Sequence, residues 1–227
     1  MLSLKKVSKT IGNNRILDSV SFDFPSKGLY LLSGPNGSGK SSLLKILSGA
    51  DARHEGQMFF DGQEINAKNA DDYSYRYVGY LPQDYIVFDE LTVLDNVLFP
   101  YHSHDETKAR QVLEEVGLSS LTDEKGENLS SGEKARLSFA RALFKDPAIL
   151  LADEIGVNLD PENEKIVLAL LEKIACKSLV LFVTHENEDT KLLHPLGSLE
   201  MDSGRLSGDR ISSKMIPEEH SEKTSQD

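Results

Sequence analysis

Residues 34–41 read Gly-Pro-Asn-Gly-Ser-Gly-Lys-Ser, a full match to the phosphate-loop pattern GxxxxGK[ST]. In Gly34, Pro35, Asn36, Gly37, Ser38 and Gly39 the glycines let successive backbone N–H groups curl around an anion, which larger side chains would block. Lys40 can reach the β- and γ-phosphates of a nucleotide, Ser41 can hold Mg²⁺, and Ser42 extends the phosphate-facing run. The loop follows the apolar run Leu29–Leu32 and precedes a helical stripe of Leu43, Leu44, Ile46 and Leu47. A helix starting there adds a partial charge of about +0.5. A second cluster lies in Ile149-Leu-Leu-Ala-Asp153-Glu154, an apolar strand that ends in two carboxylates. Asp153 is suited to organise Mg²⁺ and its waters. Glu154 is suited to take a proton from an attacking water, a role worth about 10²–10⁴-fold in rate.

A third motif, Leu129-Ser130-Ser131-Gly132-Glu133, offers phosphate another helix N-terminus through Ser130 and the N–H of Gly132. With this motif the chain resembles the ATP-binding cassette (ABC) ATPases, whose signature is LSGGQ. Here Ser131 replaces a glycine and Glu133 the glutamine. The resemblance spans residues 1–207 and implies further roles. Gln83 would sense Mg²⁺ and the attacking water, Asn158-Leu159-Asp160 would cross to a partner subunit, and His185 would contact the γ-phosphate. Ile11 stands where the family places an aromatic residue against adenine, which implies weak base stacking and poor discrimination of ATP from GTP. Ile155-Gly156 replaces the usual Pro-Thr after the glutamate, and Ala152 a bulkier residue, which implies an altered loop with catalysis retained.

The same resemblance implies ATP and Mg²⁺ as cofactors and a head-to-tail homodimer with two nucleotides in its interface. The signature of one subunit would close on the phosphate loop of the other. It implies membrane permease partners, docked beside the segment Asp84–Tyr101, and a place on the cytoplasmic face of the cell membrane. The absence of a long C-terminal regulatory domain and the Leu-Thr-Val-Leu-Asp-Asn-Val segment look most like subunits for peptide, bacteriocin or lipoprotein export; small-solute import comes next. The alternative class is a soluble ABC-type ATPase acting in assembly rather than transport.

The expected fold is α/β, a P-loop NTPase core with an antiparallel β-subdomain and an inserted helical subdomain at about 86–145. Alternation over 20–24 and the runs Ala148–Asp153 and Ser178–Thr184 read as strands, and Asp61-Gly62 as the turn of a hairpin within 57–65. Arg76–Leu81 reads as a further strand, with Tyr73, Tyr75, Tyr77 and Tyr80 as strand and packing residues. Residues 92–145 read as helical. Thr92 with Asp95 and Ser130 with Glu133 form capping boxes, Ala109, Val112, Leu113 and Val116 an apolar stripe, and Gly117 a stop. Asp160-Pro161 opens a later helix. Strands alternating with helices predict a largely parallel sheet covered on both faces. Residues 208–227 read as a polar, disordered tail.

Composition removes other classes. The 227 residues carry 25 Lys and Arg against 37 Asp and Glu, a net charge of −12. That balance disfavours nucleic acid and anionic lipid as partners. The single cysteine, Cys176, permits no intrachain disulfide and suggests a reducing compartment. No apolar run approaches the ~20 residues of a membrane helix. His102 and His104 have no further ligand cluster in sequence and read as surface residues.

Overall fold

A computed structural model describes residues 1–156, 159–184 and 193–208. The first sheet is built from β1 (Leu2–Ile11), β2 (Asn14–Asp23), β4 (Glu55–Phe60) and β5 (Gln63–Ile65), in the order β2-β1-β4-β5 and antiparallel throughout. The turn between β4 and β5 is Asp61-Gly62, with φ of 48° and 81°. Two left-handed residues match the right-handed twist of the flanking strands.

The second sheet holds β3 (Gly28–Ser33), β6 (Val78–Leu81), β7 (Ile149–Asp153), β8 (Leu179–Val183), β9 (Gly197–Asp202) and β10 (Arg205–Gly208). Its order is β10-β9-β3-β8-β7-β6; all neighbours are parallel except the edge strand β10. Side chains of its central strands alternate between two cores. Leu29, Leu150, Ala152, Val180 and Phe182 pack with the helices α3 (Val93–Leu98), α4 (Glu106–Glu115), α5 (Ser131–Leu143) and α6 (Pro161–Ala175). Tyr30, Leu32, Ile149, Leu151, Leu179, Leu181 and Val183 pack with α1 (Lys40–Leu47), α2 (Ala70–Tyr77) and the antiparallel sheet. Burial on both faces accounts for the unbroken apolar runs of β7 and β8.

Helix starts follow the chemistry of their caps. The Thr92 hydroxyl accepts the Asp95 N–H at 3.0 Å, and Asp105 and Asp160 cap α4 and α6 in the same way. Ser130 and Glu133 form a complete capping box on α5. Gly117 follows α4 with φ 72°.

The strand expected over Arg76–Leu81 begins only at Val78, because Arg76 and Tyr77 close α2. Ala70 and Tyr73 face the core three residues apart, and the Tyr73 hydroxyl donates to the Leu47 carbonyl at 2.8 Å. Asp71 and Asp72 occupy the first turn, where the helix dipole favours them, and Asp72 pairs with Arg76 one turn on. β1 escapes a period-2 reading because Leu2, Ser3 and Leu4 are all buried and register shifts break its pairing near Lys6 (φ 51°). β9 and β10, also unread in the sequence, form a hairpin on Ser203-Gly204. The tail expected from 208 lies outside the described residues from 209 onward.

Candidate functional site

Residues 34–39 join β3 to the first turn of α1, so the glycine-rich loop sits at the carboxyl edge of the parallel sheet. Two of its glycines are required by space as well as by conformation. A Cβ on Gly34 (φ 140°) would lie 2.1 Å from the Met201 carbonyl oxygen. One on Gly39 (φ 112°) would lie 2.9 Å from that of Ile16. The loop is thus packed closely against β9 and β2 at these two positions.

Lys40 is buried, and its ammonium donates to the carbonyls of Gly34 at 2.7 Å and Pro35 at 3.1 Å. No carboxylate lies within ion-pair distance of Lys40 among the described residues. The Ser38 hydroxyl is buried without a hydrogen-bond partner. A buried cation held by neutral carbonyls, with an orphaned hydroxyl beside it, fits a polyphosphate. Ser41 is exposed at the start of α1, and its hydroxyl lies near enough to Asp153 to act on that carboxyl.

The register brings Asp153 to this edge. Leu32 on β3 and Asp153 on β7 both pair with Val183 of the intervening strand β8. With strands about 4.8 Å apart, Asp153 stands about 10 Å from the strand that feeds the loop. Burial pushes its carboxyl pKa up, with the adjacent Glu154 charge acting the same way. Hydrogen bonds from Tyr80 and Ser41 and the Lys40 charge act against it, and the net shift is upward. Glu154 leaves the strand in a left-handed conformation (φ 50°), and its N–H bonds the Val183 carbonyl at 3.0 Å. That backbone turn ends β7 and redirects the chain, as strained positions at sites often do.

Lys40, Ser41, Asp153 and Glu154 therefore come together. Gln83 follows the end of β6 on the same sheet edge and is exposed. Ile11, at the end of β1, is 58% exposed. Ser130 and Gly132 open α5. Among the described residues no hydrogen bond joins either to residues 34–42; the Ser130 hydroxyl and N–H both bond the Glu133 carboxylate, at 2.7 and 2.8 Å. His185 and Asn158 lie outside the described residues.

Two tyrosines escaped the sequence reading as site residues. The Tyr80 hydroxyl donates to Asp153 Oδ2 at 3.3 Å. Burial, then the Asp153 charge and hydrogen bond, push its pKa up to about 12. The signal was register parity: Tyr80 pairs with Leu151, two residues before Asp153 and on the same face. The Tyr85 hydroxyl accepts the Gly156 N–H at 3.2 Å, tying the segment after β6 to the loop after Glu154. That link joins loops and leaves no trace in sequence.

Residues 17–156 match the ABC transporter family. The chain is 34% identical over 200 residues to the sulfate/thiosulfate import ATP-binding protein CysA of Salmonella typhi, covering 83% of this chain and 54% of that protein. It is 36% identical over 202 residues to the methionine import ATP-binding protein MetN of Clostridioides difficile (strain 630), covering 84% and 63%. The chain thus spans between half and two thirds of the length of these curated relatives. A bacterial ABC transporter cassette solved as a dimer superposes with a TM-score of 0.82 at 25% identity, covering 93% of this chain and 99% of that one. An ATP-binding cassette of an ABC transporter in its ADP conformation superposes at 0.79 with 26% identity, covering 92% and 91%. With the family match extending over well more than half of its residues, the chain belongs to the ABC transporter family and has the P-loop α/β fold of its ATP-binding cassettes.

Proposed function

We propose that this chain binds ATP with Mg²⁺ and hydrolyses it as the ATP-binding subunit of a transporter whose membrane path is a separate permease. The observation that carries this reading is the convergence of Lys40, Ser41 and Asp153 at one sheet edge with the orphaned Ser38 hydroxyl. The loop 34–39, Lys40, Ser41 and Ser42 hold the phosphates. Mg²⁺, held by Ser41, Asp153 and Gln83, would neutralise developing phosphate charge. Glu154 takes the proton of the attacking water, Gln83 orients that water, and His185 contacts the γ-phosphate. Ile11 lies under the base. The cassette comprises residues 1–207, with its helical subdomain at about 86–145.

Closure of the dimer would exclude bulk water around Glu154. A second copy, turned head to tail, supplies Ser130 and Gly132 to each nucleotide. The permease docks in a groove of about 290 Å³ lined in part by Tyr80, Pro82, Ile86, Tyr101, Arg141 and Lys145. No helix among the described residues is long and apolar enough to cross a membrane, in keeping with attachment through a partner at the cytoplasmic face. On direction, CysA and MetN are both named for import, so the export expectation gains no support from them and import of a small solute is preferred.

The test is a pull-down of tagged Glu154→Gln with Mg-ATP from detergent-solubilised membranes, read by mass spectrometry. A co-purifying polytopic protein supports the transporter reading. Soluble partners only would move it to an assembly ATPase.

A further inference from the structure

We infer that Asn163 is a positioning residue that locks the signature turn of α5 onto the first turn of α6, so that both helix starts move as one body when two copies of this chain close. The inference rests on the dimeric ATPase reading above. One small cluster of side chains supports it. Asp160 caps α6: its Oδ1 accepts the N–H groups of Glu162 at 3.1 Å and Asn163 at 3.0 Å. The Asn163 amide then returns to the same carboxylate, donating from Nδ2 to Asp160 Oδ2 at 2.7 Å. Its Oδ1 accepts Arg136 Nη1 at 3.2 Å. Arg136 lies one turn after Gly132 on α5, so the two share a helix face.

Gly132 is where the Asn163 side chain rests. A Cβ at Gly132 would meet Asn163 Cγ at 2.2 Å, Oδ1 at 2.3 Å and Nδ2 at 2.5 Å. Gly132 is not among the residues with positive φ. Alanine there is therefore conformationally permitted and would favour the helix. What forbids it within one chain is the Asn163 amide, pinned from both sides by Asp160 and Arg136. Arg136 Nε is buried without a hydrogen-bond partner, so its guanidinium depends on the Asn163 contact for the fork's orientation. Asp160, Asn163, Arg136 and Gly132 thus connect the segment that would cross to a partner with the one that would meet the partner's nucleotide.

The experiment is a mutant cycle over Gly132→Ala, Asn163→Ala and the double variant, each also in the Glu154→Gln background. Three readouts are taken: melting temperature, ATP affinity of the monomer, and ATP-driven dimerisation by light scattering. Asn163→Ala is expected to leave monomer ATP affinity within about twofold and to weaken dimerisation about tenfold, the low end for losing its hydrogen bonds to Asp160 and Arg136. Gly132→Ala is expected to lower the melting temperature when Asn163 is present and not when it is alanine. Asn163→Ala dimerising as tightly as the parent, or Gly132→Ala equally damaging to the melting temperature in both backgrounds, overturns the inference while leaving the ATPase reading intact. Failure of the Glu154→Gln parent itself to dimerise with ATP overturns the underlying reading; the melting-temperature cycle still decides whether Asn163 excludes a side chain at position 132.

Discussion

Replacing Tyr80 by phenylalanine removes one oxygen and keeps the ring. The lost contact is the hydrogen bond to Asp153 Oδ2, at 3.3 Å, beyond the usual 2.5–3.0 Å for O–H···O. A hydrogen bond to a charged acceptor is worth about 1.5–3 kcal/mol, and at this length and partial exposure about 1 kcal/mol is reasonable. At 1.4 kcal/mol per factor of ten, that is about fivefold. Two effects compete. The hydroxyl restrains one carboxylate oxygen and so pre-orders Asp153 for the cation, but it also draws electron density from that oxygen. The restraint should win, because burial already pushes the Asp153 carboxyl toward its neutral form and Tyr80 opposes that. The assay is phosphate release against Mg²⁺ at saturating ATP. The half-saturating Mg²⁺ concentration should rise about fivefold, with little change in rate at saturation. An unchanged value would show that Tyr80 does not order Asp153; a fall would show that its hydroxyl competes with the cation.

Gly34→Ala should lower stability by about 1–3 kcal/mol and weaken ATP binding in titration calorimetry, since its Cβ would strike the Met201 carbonyl at 2.1 Å. Leu151→Ala, in the core between the sheets, should reduce stability in urea by about 2–5 kcal/mol with no change in ATP stoichiometry. Hydrogen bonds from the Ser130 side chain and N–H hold the Glu133 carboxyl below its ordinary pKa. Its contribution is therefore fully present above the unfolded value and lost as pH falls through the lower folded one. The melting-temperature gap between the parent and Glu133→Gln should be constant near neutral pH and close below about pH 4.

The chemistry-bearing motifs were legible because each is a short run whose meaning depends on what flanks it. Residues 34–41 needed only a strand before and a helix after, and both are present as β3 and α1. The capping box at Ser130 and the hairpin at Asp61-Gly62 were readable for the same local reason. The misreadings arose where tertiary packing decided. The strand read over Arg76–Leu81 took in Arg76 and Tyr77, yet burial of Ala70 and Tyr73 against α1 carries α2 through both. The bulged pairing of β1 erased its period, and β9 and β10 lack an apolar run of their own. Contacts across the site, such as Tyr80 with Asp153 or Asn163 with Gly132, join residues 73 and 31 positions apart and have no signature in a single sequence.

In the proposed mechanism this cassette binds ATP through its phosphate loop and hydrolyses it with Glu154 as base. The most direct measurement is single-turnover phosphate release by the purified chain beside Glu154→Gln, with ATP binding followed in parallel. Both are expected to bind ATP, and the variant to release phosphate at least about 100-fold more slowly, the smallest loss expected for a missing general base. Phosphate release at the parent rate by Glu154→Gln, or no ATP binding by either protein, would contradict it.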